Sequence, residues 1–554
     1  MNILPEKPVE KWFWLLLFVL AWLAGLNLLV WDQDEAAYGG FAWNTLHTGN
    51  WLVPDFLWSE IHRKTPWHFW TISWSFLLFG VNEIAIRLPS VLAAAGTVLL
   101  VRYQGAAVFG KANATVAAYI LGGNYLITLL QKVSVTDANL LFFTTLAVLS
   151  LLHFFKTPKR RYQLLFVIGV AGGMMVKGPP VLIVTIGMLG LILLFSPQRK
   201  LIFAFHPWFL FPLASLPLLI WGRMAWLTDG GTFISWMIDW YTVRRVSSDV
   251  LGQTGPPGFY LGTMLVFFHP FVALIPAAFW HAWQSWRKND ADKNELFMLF
   301  AWCISGWVIY ELMRSKLPTY AVGAFPAVAL LVGRYLNQLE PKALLKSRSL
   351  QVGAVLYFLL STGISIFLPI MVKAPVGGSP IFEPSAVWLS YIMSFGLLTL
   401  SLGILFLLLR STYGWAFRLM MLQSIFFIAF FWQGLLTQMD PVRSATKELA
   451  EYASFNSFGK TVVLTNNFQL PSLPFYLAAN RCRFEEKKEM LAWLPALENR
   501  RQLLIFNDDN IEQLKIISNE MGIGYRIEKQ IRGYISDQGR FTTWYVVRGQ
   551  KSFE

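Results

Sequence analysis

Apolar stretches, many of them about as long as the ~20 residues a helix needs to cross a bilayer, recur from Trp12 to Thr437 and then stop. The stretches run 12–31, 85–108, 112–132, 135–155, 162–176, 179–196, 206–226, 260–283, 296–313, 318–337, 350–371, 386–410 and 415–437, thirteen in all. A further one, Pro66 to Val81, is shorter and mixes His68, Thr71, Ser73 and Ser75 with Trp67, Trp70 and Trp74, the pattern of an interfacial or re-entrant segment. After residue 438 the pattern changes. Short apolar runs (Thr461–Thr465, Gln502–Phe506, Thr542–Val547) alternate with helix-like stretches (Lys487–Leu497, Asn510–Met521), which predicts a small α/β unit. The predicted fold class is therefore an α-helical polytopic membrane protein, residues 1–438 with about 13 transmembrane helices, followed by a C-terminal soluble α/β domain, residues 439–554.

Composition agrees with the pattern: 55% of the 554 residues are hydrophobic and 14% charged, against roughly a quarter charged in soluble domains. That excludes a soluble globular enzyme. Lys7 and Lys11 precede the first run as in a signal peptide, but the run is long and lacks a small-residue cleavage site, so it reads as a retained helix. Loop charge sets the orientation. With thirteen spans and a cytoplasmic N-terminus, 19 basic residues, among them Lys156, Lys159, Arg160 and Arg161, fall inside, and the C-terminal domain falls in the periplasm or outside the cell. The basic residues left on the outer side run against this bias and require another explanation.

Those outer segments carry the candidate chemistry. Asp32, Asp34 and Glu35 follow the first run; Asp34 suits a helix N-cap, and equally a carboxylate that takes a proton from an acceptor hydroxyl or amine. Arg63 and Lys64 stand before Pro66, either bound to lipid headgroups or forming a phosphate site, Lys64 as a point charge and Arg63 as a fork. Asp137 interrupts two apolar runs, as an N-cap or as a buried functional carboxylate. Lys177 lies in the kink Lys177-Gly178-Pro179-Pro180, where a snorkelling lysine is the plain alternative. The loop from Asp229 to Gly258 holds Arg244 and Arg245 and has the length of a lid. Lys316 and Tyr320 flank a proline at the start of a span, where a tyrosine also serves as an interfacial anchor. The tail shows no nucleophile motif, metal spacing or glycine-rich phosphate loop and reads as a lid or docking domain. Several cations and acidic loops facing one side, beside aromatic surfaces, suit a phosphorylated lipid carrying a sugar.

The order Asp34-Glu35, Lys64-Thr65-Pro66, Asp137, Lys177-Gly178-Pro179 and Lys316-Leu317-Pro318-Thr319-Tyr320 resembles the integral membrane glycosyltransferases of the GT-C fold, in particular the lipid A 4-amino-4-deoxy-L-arabinose transferase and protein mannosyltransferase family. The resemblance spans nearly the whole chain. It implies a catalytic Asp34 near the lipid phosphate, with Lys64 and Tyr320 contacting that phosphate and the outer loops closing over the cavity. To these the reading of the residues adds Glu35 and Asp137 as further catalytic candidates and Arg63, Lys177, Arg244, Arg245 and Lys316 as substrate-binding ones. Two departures bear on metal use: Arg63 stands where the family has an acidic residue, and Gln253 and Thr254 stand where a histidine is expected. No cofactor and no metal are therefore expected. The implied activity is transfer of a sugar from undecaprenyl phosphate to an envelope acceptor such as lipid A, another glycan or a protein. The rival class is a transporter or flippase of lipid-linked sugars, which requires an inverted repeat and midplane polar residues not evident here. An envelope binding protein that uses the tail for contact is a weaker third reading.

Overall fold

The computed structural model of the chain describes residues 7–32, 34–56, 63–244, 254–288, 292–457, 462–465, 470–477, 482–485, 502–536 and 538–550. Each of the thirteen apolar runs is helical over most of its length. Helix length and apolarity alone do not establish thirteen spans. Among the described residues seven helices are long and apolar enough to cross a bilayer, or nine if two bent pairs are each one span. The physical reasons are local. The run 112–132 breaks into α5, Lys111–Gly122, and α6, Tyr125–Lys132, at 55°, because Asn124 caps the amides of Leu126 and Ile127 and starts a new helix. The run 260–283 bends by 115° between Phe259–Phe267 and Phe271–Arg287. The two runs from 162 to 196 are α8, Arg160–Lys177, and α9, Pro180–Phe195, parted at Gly178, whose φ of 72° only glycine adopts at little cost.

The centre of the bundle is α7, Asp137–Lys156, apolar on all sides and almost wholly buried between α4, Glu83–Phe109, and α8. By contrast the helix Pro207–Asp229 exposes most of its apolar side chains, as a lipid-facing helix does. The first run is a 16-residue helix, α1, Pro8–Leu23. Next come α2, Asp34–Thr48, and α3, Trp67–Phe79. The 13 residues of α3 rise only about 20 Å, less than the ~30 Å hydrocarbon core. Together α2 and α3 enclose a small apolar layer of Tyr38, Phe41, Phe56, Phe69, Ile72 and Phe76, joined by Phe475 from the C-terminal part.

The C-terminal part forms a five-stranded mixed sheet from β1 Val462–Thr465, β2 Cys482–Glu485, β3 Leu504–Asn507, β4 Gly524–Ile535 and β5 Arg540–Gln550, in the order β2-β1-β3-β5-β4. Strands β1, β2 and β3 are parallel neighbours, and β5 pairs antiparallel with β3 and β4. Three strands and the helix Asp508–Met521 lie where the pattern puts them; the helix expected over 487–497 lies outside the described residues. Strand β4 (GYRIEKQIRGYI) escapes a hydrophobicity reading because Arg526, Glu528, Lys529, Gln530 and Arg532 interrupt its apolar residues.

Candidate functional site

Three acidic residues in four positions meet three different fates at the α1–α2 turn. Asp32 accepts hydrogen bonds from the amide and hydroxyl of Ser472 at 2.9 and 2.8 Å. Glu35 is fully buried and clasped by Arg87, whose Nε and Nη2 donate to its two oxygens at 2.8 Å each, both side chains having no exposure. The amides of Trp31 and Ser134 donate to the same carboxylate, at 2.9 and 2.8 Å. Arg87 in turn donates to the carbonyls of Leu26, Leu28 and Leu29. Glu35 therefore anchors the turn, which corrects the catalytic expectation for it: a carboxylate with both oxygens engaged and no exposed surface has no face for a substrate. Arg87 is the residue the sequence reading passed over; an arginine five positions inside the α4 run was itself the signal, since a charge there needs a partner.

Asp34 is exposed at the start of α2 and accepts from the Tyr38 hydroxyl at 3.2 Å. The same hydroxyl accepts a hydrogen bond from Lys64 Nζ. Carboxylate, hydroxyl and ammonium are thus joined in one chain. The ammonium of Lys64 lies 4.7 Å from the Tyr38 ring centre and 5.9 Å from that of Tyr241, on the π-helical turn Asp239–Arg244. Burial, with Asp34 adding to it, raises the Tyr38 pKa well above the ordinary phenol value, so the hydroxyl stays protonated and can donate to Asp34. Below it the buried ring of His68 meets Tyr38 edge-on at 5.4 Å and contacts Ser134 O at 3.4 Å and the Asn139 amide at 3.2 Å. Burial lowers the His68 pKa to about 4, which keeps the imidazole neutral beside Lys64. His68 reads in the sequence only as one polar residue of an interfacial helix.

A second group lies at the N-terminus of α7. Lys177 Nζ sits 2.8 Å from both oxygens of Asp137, and 5.6 Å from the Tyr320 ring centre. Tyr320 neighbours Tyr310 at 6.2 Å. The adjoining cluster includes Tyr260, whose ring lies 5.4 Å from Lys316 Nζ. Lys316 is nearly buried, donating to the Glu311 carbonyl at 2.7 Å with the Glu311 carboxylate 3.6 Å away. Asp137 is within electrostatic reach of Tyr38, His68 and Tyr310, so the two groups belong to one field.

Not every expected cation joins them. Arg63 Nη2 pairs with Asp55 at 2.8 Å, and its guanidinium lies 6.0 Å from the Phe233 ring. Arg244 is exposed and paired with Asp239 at 2.7 Å. Arg245 and Gln253 lie outside the described residues. Among the described residues no three His, Cys, Asp or Glu side chains gather as metal ligands.

Residues 63–221 match the dolichyl-phosphate-mannose-protein mannosyltransferase family. The chain is 26% identical over 392 residues, 69% of each chain, to the undecaprenyl phosphate-alpha-4-amino-4-deoxy-L-arabinose arabinosyl transferase 2 of Proteus mirabilis. It is 26% identical over 389 residues, 68% of each chain, to the corresponding transferase of Edwardsiella ictaluri. Its fold superposes on ArnT from Cupriavidus metallidurans bound to undecaprenyl phosphate with a TM-score of 0.78 at 16% identity, covering 98% of both chains. The apo form of that protein gives 0.76, again over 98% of both. The resemblance seen in the motifs thus extends to the sequence of homologues and to the whole fold.

Proposed function

We propose that this chain, a multi-pass membrane glycosyltransferase by its relatives and its fold, transfers a sugar from undecaprenyl phosphate to an acceptor at the outer face of the inner membrane. Lipid A is the first candidate acceptor, since the relatives are 4-amino-4-deoxy-L-arabinose transferases; another envelope glycan or a protein is the wider class. The observation that carries this reading is the Asp34–Tyr38–Lys64 chain, a carboxylate and an ammonium joined through one buried hydroxyl.

In this reading an acceptor oxygen or nitrogen attacks the sugar carbon bonded to the phosphate, with inversion. The new bond forms as the sugar–phosphate bond breaks and its electron pair leaves on the phosphate. Asp34 takes the acceptor proton, Tyr38 holds that carboxylate, and Lys64 meets the charge growing on the leaving phosphate. Lys177 and Tyr320 would face the phosphate, supported by the 2.8 Å contact of Lys177 with Asp137 and its place beside the Tyr320 ring, and Lys316 would add positive charge from behind them. Residues 1–438 would form the membrane part, completed to thirteen passes by the short and bent helices, with the N-terminus in the cytoplasm and residues 439–554 as an external soluble α/β domain.

The test is a transfer assay in proteoliposomes with synthetic undecaprenyl-phosphate 4-amino-4-deoxy-L-arabinose and lipid A, read by mass spectrometry. Wild-type protein is expected to form modified lipid A and Asp34→Asn to form none. Movement of the lipid donor across the bilayer without any transfer would instead make the chain a flippase.

A further inference from the structure

Every residue from Leu29 to Asp32, the approach to Asp34, is held by side chains more than 400 positions away in the sequence. The Leu29 amide points to Asp440 at 3.5 Å, and Arg443 Nη2 donates to the carbonyls of Leu29 and Val30 at 3.3 and 3.1 Å. The Val30 amide donates to the Tyr476 hydroxyl at 3.1 Å. The Arg443 guanidinium lies 3.6 Å from the Trp31 ring centre. Asp32 accepts from the amide and hydroxyl of Ser472, which is itself buried and whose oxygen, its proton given to Asp32, accepts from the Thr446 hydroxyl at 3.0 Å. The helix Ser472–Leu477 that begins at this contact lays Phe475 on α2, where a Cβ on Gly39 would stand 2.7 Å from the Phe475 ring. Only a glycine lets the two approach so closely. On its other side the same turn is fixed by Glu35 and Arg87.

We infer that Asp440, Arg443, Ser472 and Tyr476 together clamp the approach to Asp34 and so position it, with the Asp32–Ser472 contact as the latch. The inference rests on Asp34 being the base. A general base works only when it is aligned with the proton it takes, and a displacement of about 1 Å can cost on the order of 100-fold in rate. Asp32 is two residues from Asp34 in the chain, so displacing Asp32 is expected to displace Asp34. The external part of the chain then governs turnover without touching the lipid donor, in place of the lid or docking role expected from its sequence. Asp32 and Ser472 are positioning residues in this scheme.

The test uses the full chain in nanodiscs with Asp32→Ala, Ser472→Ala and Ser472→Thr. Hydrogen–deuterium exchange over residues 26–41 reads the clamp directly and needs no activity. Exchange of amides 29–38 is expected to quicken about tenfold or more in both alanine variants, with amides in α7 unchanged and Ser472→Thr close to wild type. In the transfer assay both alanine variants are expected to lose about tenfold in kcat with KM for the lipid donor within about twofold, and Ser472→Thr to restore kcat. Unchanged exchange in the alanine variants overturns the clamp. So does faster exchange with unchanged kcat, or a loss that appears in KM alone, which would point to a lid over the donor. If Asp32→Ala fails to accumulate, Ser472→Ala, which deletes one hydroxyl, carries the same comparisons. Wild-type protein that transfers no sugar would defeat the assigned reaction, while the exchange result would still decide the clamp.

Discussion

Replacing the Glu35–Arg87 pair by apolar residues separates an anchoring role from a catalytic one. Both side chains are fully buried. Removing one partner strands the other's charge, which typically costs about 3–5 kcal/mol, so Glu35→Leu and Arg87→Met should each fall in that range. For an isolated buried pair the double variant is often neutral, because the desolvation of both charges disappears with them. Here it should not be. The pair also satisfies four backbone groups, the amides of Trp31 and Ser134 and the carbonyls of Leu26 and Leu28, and shares the Leu29 carbonyl with Arg443. Each buried backbone group left unmade costs about 1–3 kcal/mol. Even with partial relaxation the double variant should remain at least about 3 kcal/mol below wild type. Reversible unfolding in mixed detergent–SDS micelles, followed by circular dichroism, measures all four proteins. A double variant within about 1 kcal/mol of wild type would refute the argument, because it would mean that the turn holds its shape without the pair. The milder Glu35→Gln keeps one carbonyl acceptor, and whatever of it folds should retain transfer activity. Inactive but fully stable Glu35→Gln would return Glu35 to the chemistry.

Lys64→Ala should raise KM for the lipid donor and lower kcat at least about tenfold, since it removes both donor contact and leaving-group stabilisation; an effect on KM alone would limit Lys64 to binding. His68 gives a pH dependence: its folded pKa of about 4 lies below the unfolded value of about 6.5, so stability is intact above 6.5 and erodes as pH falls from there through 4. His68→Gln should flatten that limb in the same micelle assay, and an unchanged limb would place the acid sensitivity elsewhere. A cysteine at Glu512, whose side chain is 67% exposed, should react with a membrane-impermeant thiol reagent once the outer membrane is opened, before the inner membrane is; reaction only after inner-membrane lysis would reverse the orientation. Transfer should survive a strong chelator, and activity lost on chelation but restored by zinc, magnesium or manganese would show that a metal serves the site.

Much of the architecture is legible in the one-dimensional pattern because a bilayer leaves the backbone few options: apolar runs must be helices, and all thirteen are helical over most of their length. What the pattern hides is where a helix stops. The break at Asn124 depends on a single side-chain cap, and the 115° bend between Phe267 and Phe271 falls inside a run that reads as one continuous apolar stretch. Of the candidate site, Asp34, Lys64, Asp137, Lys177 and Tyr320 stand out in the sequence because a charge or hydroxyl in an apolar setting has few reasons to be there. Their partners were not. That Arg63 turns to Asp55 and Glu35 to Arg87 is decided by pairings 8 and 52 residues apart. His68 and Tyr38 needed the third dimension, since their importance lies in the two charged groups one hydroxyl touches.

The contact between Asp32 and Ser472 joins positions 440 residues apart, and that between Val30 and Tyr476 spans 446. Closing such distant contacts is intrinsically late in folding, and during synthesis the early segment emerges long before its partners exist. The nascent chain therefore inserts its helices with the turn before Asp34 still loose, and completes that turn only when translation has passed residue 476. Termination before residue 476 would leave the turn before Asp34 without the distant side chains that hold it, so the order of synthesis sets the order in which this part of the molecule can take shape.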